Sequence, residues 1–204
     1  MLERFLLSLL CFGLLTIGIS AQQSVPTGWL QRGSAAGDYI TGVDHSIYHG
    51  GKASGYIEYV LDPMIVQRGF ATLMQAVKAD KYHGKRIRLS GYLKTERVKK
   101  SAALWVRVEG KHINRTFDVG TNSGLGGTSD WKRVEAVFDV PSSAQGMAFG
   151  VLLDGKGRVW IDDLRLDIVD KRVSTTTIRW PFRSDDGIDL QKYSNSATNL
   201  DFEQ

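Results

Sequence analysis

Two groups of side chains could do chemistry. The first is the carboxylate pair Asp162-Asp163, inside Gly157–Val169. Apolar residues alternate there at Val159 and Ile161, as on one face of a half-buried strand. The alternation skips one residue and resumes at Leu164, Leu166 and Ile168. One extra residue in a strand is a β-bulge. A bulge carrying two hard oxygen donors has the chemistry to hold a cation. The second group is polar and aromatic. Alternation over Lys85–Thr95 turns Ile87, Leu89 and Leu93 inward and Arg88 and Tyr92 outward. Over Ala102–Glu109 it turns Leu104, Val106 and Val108 inward and Trp105, Arg107 and Glu109 outward. Aromatic platforms beside hydrogen-bonding side chains are what a sugar site combines. On the expectation that these strands are neighbours, Trp105, Tyr92, Arg107, Arg88 and Glu109 form one ligand-binding face.

Other chemistries find little support. The sequence has no Gly-x-Ser-x-Gly elbow, no phosphate-binding Walker loop and no His-Glu-x-x-His. Glu58, Glu96, Glu109 and Glu135 are available carboxylates, but nothing in their spacing sets two of them across a glycosidic bond. His45 and His49 are four apart without a helical pattern to carry them, so they read as turn or surface residues. The glycines of Gly120–Gly127 do not follow a strand and open a helix, which argues against a phosphate cradle.

The elements that must position these groups are strands. Short alternating runs recur at Ala53–Val60, Phe70–Val77, Lys85–Thr95, Ala102–Glu109, Trp131–Val140, Met147–Leu153 and the bulged segment. Pro141 ends one of them, and Asp154-Gly155 predicts a hairpin between the last two. The pattern is that of an all-β, two-sheet antiparallel jelly-roll β-sandwich. Residues 22–171 form the domain, and 172–204 form an irregular tail that docks through 199–204.

Composition bounds the setting. Phe5–Ile19 is almost wholly apolar, follows Arg4 and ends near Ile19-Ser20-Ala21, so 1–21 reads as an export signal. The expected location is periplasmic or extracellular, with no membrane span once the signal is cleaved. Cys11 is the single cysteine of the 204 residues, so the exported part has neither disulfide nor thiolate metal site. Net charge is +4 and the basic residues are interleaved with acids. A nucleic-acid reader shows a tighter basic stripe, and no nucleic-acid partner is expected.

Several motifs occur in a familiar order: Gly50-Gly51-Lys52-Ala53-Ser54, Gln75, Gly91-Tyr92-Leu93-Lys94-Thr95, Ser129-Asp130-Trp131 and Val159-Trp160-Ile161-Asp162-Asp163. Together they resemble the galactose-binding-like jelly rolls, above all calcium-binding carbohydrate-binding modules. Tyr82–Thr95 with Leu104–Val108 is similar to a module of unassigned function in exported bacterial proteins and some AraC-type regulators. The resemblance covers about Trp29 to Asp170. Such relatives begin with an Asn-Leu-x-Phe-Glu strand, which here stands at the other end as Asn199-Leu200-Asp201-Phe202-Glu203. Either a second module starts there, or the tail folds back as an edge strand; we favour the second. The resemblance implies a structural Ca²⁺ held by Asp162 and Glu203. It also implies non-catalytic recognition of carbohydrate. The alternatives are a module that binds an envelope protein or senses an effector, and third a hydrolase acting on glycans.

Overall fold

The computed structural model describes residues 24–62, 64–110, 113–119, 124–176 and 193–204, and of 113–119 only the backbone. The expected export signal therefore lies outside the described residues. Among the described residues nine strands run in chain order: β1 (Leu30–Arg32), β2 (Tyr39–Asp44), β3 (Ser54–Tyr59), β4 (Phe70–Lys78), β5 (Arg86–Gly110), β6 (Ile113–Val119), β7 (Leu125–Asp139), β8 (Ala144–Asp154) and β9 (Arg158–Val169). Every pairing between these described strands is antiparallel, and the protein is an all-β jelly-roll sandwich. Among the described residues, no helix is long and apolar enough to cross a membrane.

β5 organises the molecule. Its first half, residues 86–96, pairs with β9 and β7. Its second half, residues 101–110, pairs with β8 and β6. One layer is therefore β2-β3-β9-β5-β7, and the other β1-β4-β8-β5-β6. The two runs Lys85–Thr95 and Ala102–Glu109 belong to one strand that passes from sheet to sheet. Its turning point is Arg97, whose φ is 52°.

The alternation built the core as expected. Ile87, Leu89 and Leu93 from one sheet meet Leu104, Val106, Val108, Phe149, Val151 and Leu153 from the other, all at 0% exposure. Asp154-Gly155 does not make a hairpin, however. β8 and β9 lie on either side of β5, so the turn crosses between layers. It wraps the bend in β5, with Lys99 N donating to Lys156 O at 2.8 Å. Gly157 has φ 119°, and a Cβ there would lie 2.6 Å from Val98 Cα.

The slip in β9 occurs where the alternation skips. Ser90 pairs with Arg165 and Tyr92 with Asp162, which leaves one extra residue on β9. Asp163 takes it up in the left-handed region, φ 50°.

The tail docks, but not as a strand. Asn199 and Phe202 have φ of 48° and 59°, and two left-handed residues so close together cannot continue a pleat. The segment is a turn that plugs one end of the sandwich. Phe202 is 1% exposed and stacks on Trp29 at 4.8 Å. Trp29 Nε1 donates to Asn199 O at 2.9 Å.

Candidate functional site

The five expected ligand residues do not share a face. Tyr92 and Arg88 sit on the outer side of the β9-containing sheet, and Trp105, Arg107 and Glu109 on the outer side of the β8-containing sheet. The reason is the bend in β5: neighbouring segments of sequence became parts of different layers.

On the β8 sheet, the half-buried Trp105 donates its Nε1–H to Thr72 Oγ1 at 2.8 Å. Thr72 in turn donates to Val151 O at 2.7 Å. With its polar atom satisfied, the indole offers a partner only its apolar ring. Arg107 forms an ion pair with Glu109 on the same face and is 8% exposed. Glu109 also accepts the Tyr193 hydroxyl. Burial, then the Glu109 bond and charge, pushes the Tyr193 phenol well above its ordinary value, so it remains a donor. Small residues of β8 alternate beneath, Gly146, Ala148 and Gly150. Across β5, the register sets Asn114 opposite Glu109, Thr116 opposite Arg107 and Asp118 opposite Trp105.

On the other sheet, Tyr92 is no free platform. The His49 ring stacks on it, with centroids 3.5 Å apart and planes 14° apart. Trp131 meets His49 edge-on at 5.8 Å. His49 Nδ1 lies 2.7 Å from Asp163 Oδ2, which fixes the imidazole over the phenol. Arg88 faces Glu135 at 3.6 Å. Further along, the Arg158 guanidinium lies 4.3 Å from the Tyr56 ring centroid and 4.6 Å from that of Trp160. Asp44 Oδ2 closes this stack by accepting from Trp160 Nε1 at 2.8 Å and from Arg158 Nη2 at 3.1 Å. Trp160 thus points outward yet is 2% exposed.

Asp162 and Glu203, the expected calcium ligands, converge on one loop. Asp162 Oδ2 accepts the amides of His49 at 2.8 Å and Gly50 at 3.0 Å, and its Oδ1 accepts that of Asp163 at 2.7 Å. Glu203 Oε1 accepts those of Lys52 at 2.6 Å and Ala53 at 3.1 Å. The two carboxylates thus hold opposite ends of the short segment 49–53. What reaches them, though, is backbone N–H, whereas Ca²⁺ requires six to eight oxygens. As arranged, this donor set does not fit the ion. Burial raises the Asp162 carboxyl above its ordinary value despite the three amides, and the Asp163 charge adds to the rise. Among the described residues, no three His, Cys, Asp or Glu side chains form a metal-holding group. An open depression of about 530 Å³ lies where the tail meets the bulge, bordered by Asp163, Arg165 and Asn199, and contains none of the five ligand candidates.

No family model matches the chain. It is 39% identical over 155 residues to the uncharacterized HTH-type transcriptional regulator YbfP of Bacillus subtilis, a match covering 76% of this chain. The match covers 52% of that protein, so the chain spans about half the length of its curated relative. Among solved structures, it is similar to the CBM22-1 xylan-binding domain of Paenibacillus barcinonensis Xyn10C. The identity is 15%, the coverage 72% of this chain and 90% of that one, and the TM-score 0.51. It is also similar to the enzymatically active domain of bacteriophage CBA120 tailspike protein 4. There the identity is 11%, the coverage 72% of this chain and 20% of that one, and the TM-score 0.54. These likenesses show the fold, that of carbohydrate-binding modules. A shared fold leaves function to be argued from the site. The narrower likeness to modules on AraC-type regulators is not supported; the relative is described as an HTH-type regulator.

Proposed function

We propose that this chain is an exported, non-catalytic module that binds carbohydrate on the outer face of the β8 sheet. The observation that carries the reading is Trp105. Its Nε1–H is already bonded to Thr72, so its ring is left as an apolar surface, and Arg107 and Glu109 stand beside it. A pyranose needs both features, an apolar face to lie on and paired donors and acceptors for its hydroxyls. Tyr92 and Arg88 are left out of the site, because they lie on the other sheet and His49 covers the tyrosine. The fold of a xylan-binding domain lends support and makes β-1,4-xylose chains the first probe.

The test is a glycan array followed by calorimetric titration with xylohexaose and soluble xylan. A central aromatic anchor is worth about 2 kcal/mol or more, so Trp105→Ala should weaken binding at least about thirtyfold while the variant still unfolds in one cooperative transition. An array without hits refutes the reading. The second reading is an effector-sensing module, favoured by the similarity to a transcriptional regulator. Capture of an envelope protein by wild type and by Trp105→Ala alike, with no glycan bound, would decide for a protein partner.

A further inference from the structure

Tyr193 reaches the Trp105 face from the far end of the chain. Its ring fills the space over Gly146, where a Cβ would fall 2.1 Å from Tyr193 Cε1. The ring is 5% exposed and packs with Met74, Ala76 and Ala148, a cluster that Trp105 also touches. The hydroxyl takes the Glu109 carboxylate. Behind it the chain is fastened to the outer edge of β4, beyond the short β1. Ser194 N donates to Ala76 O at 3.0 Å, and Lys78 N donates to Ser194 O at 2.9 Å. Lys81 Nζ adds a bond to Ser196 Oγ at 2.7 Å. An aromatic ring anchored on both sides is a fixed wall and not a loose flap.

Its position along the face decides what it does. Gly146 lies opposite Glu109, and Gly150 lies opposite Trp105. The four residue steps from Gly146 to Gly150 along β8 span about 13 Å. A sugar stacked on Trp105 and extending toward Glu109 therefore meets Tyr193 within a few rings. A polymer running along the strands could not continue past that point.

We propose that Tyr193 is the end wall of this site, so that it takes the terminal residues of a glycan chain and not an internal stretch. The proposal rests on the glycan reading of the same face. Titrations compare wild type, Tyr193→Ala and Tyr193→Phe with the same hexasaccharide and polymer, at equal sugar concentration. Wild type should prefer the hexasaccharide at least about tenfold per sugar residue, because it carries more chain ends. Tyr193→Phe keeps the ring and should keep the preference; Tyr193→Ala should abolish it. Equal binding of both ligands by wild type, or a preference that survives in Tyr193→Ala, overturns the wall and leaves the glycan reading standing if Trp105→Ala still loses binding. A readout without sugar decides the case in which nothing binds. Acrylamide quenching assigned to Trp105, by difference from Trp105→Phe, should at least double in Tyr193→Ala. Unchanged quenching overturns the wall even then, whereas a rise with no sugar bound removes only the glycan reading.

Discussion

Replacing Phe202 by alanine should cost this domain much of its stability, although the residue is third from last in the sequence. Phe202 is 1% exposed. One side of its ring stacks on Trp29 at 4.8 Å, and the other rests on Gly55, where a Cβ would lie 2.3 Å from the ring. A buried Phe→Ala change costs about 3–5 kcal/mol, transfer and cavity terms together. Of that, the aromatic pair accounts for about 0.5–1.5 kcal/mol. For a domain of this size, each kcal/mol lowers the melting temperature by about 2–4 °C. The expected fall is therefore about 6–20 °C. Calorimetry measures it, and the near-ultraviolet signal of Trp29 should melt in the same transition. Deleting 199–204 should do at least as much harm, since it also removes the Glu203 carboxylate from Lys52 and Ala53. A fall of less than about 3 °C in both variants would mean that the tail decorates the sandwich without closing it.

Two further outcomes follow from the carboxylates. Asp44 is held below its ordinary carboxyl value of 3.8: burial would raise it, but the Trp160 indole N–H, the amides of Ser46 and Ile47 and the Arg158 charge outweigh that. Its folded pKa thus lies below its unfolded one, so its contribution is present above about pH 4 and is lost as pH falls through the folded value. Urea unfolding of wild type and Asp44→Asn should differ by about 1–3 kcal/mol at pH 7, and the gap should shrink as the pH falls below the ordinary carboxyl value; a gap that stays constant into acid would refute the assignment. Because backbone amides occupy Asp162 and Glu203, millimolar Ca²⁺ or a chelator should leave the melting temperature unchanged. A Ca²⁺-dependent rise of several degrees would show that the loop turns its carbonyls inward to take the ion.

Much of the fold was legible because alternation records burial. Ile87, Leu89, Leu104 and Val106 point where the two-residue period sends them, and the single skipped beat at Asp162-Asp163 marks a true bulge. What alternation cannot record is which sheet a strand belongs to. Residues 86–96 and 101–110 read alike, and only the left-handed Arg97 and the turn wrapped over Val98 send them into different layers. That bend is why Tyr92 and Trp105 part company. The Asp-Gly turn misled for a related reason, since a local turn signal is blind to the β5 strand lying between its two arms. Tyr193 was illegible because its partner, Glu109, is 84 residues away and the surrounding tail carries no period.

Asp163 offers a way to separate strain from contact at the bulge. Its φ of 50° is costly for most side chains, and its carboxylate holds His49 over Tyr92. The left-handed conformation costs an ordinary residue roughly 1–2 kcal/mol, whereas glycine adopts it freely and asparagine tolerates it. Asp163→Asn keeps both the conformation and an acceptor, so it should change stability by less than about 0.5 kcal/mol, within the range of a neutral surface change. Asp163→Gly loses only the His49 contact, worth about 0.5–1.5 kcal/mol as a hydrogen bond. Asp163→Ala loses the contact and also bears the strain, so it should be the least stable of the three by about 1–2 kcal/mol. Urea unfolding at pH 7 ranks them. If alanine and glycine prove equal, the backbone at 163 is not strained, and the extra residue of β9 must be accommodated by relaxation along the strand instead.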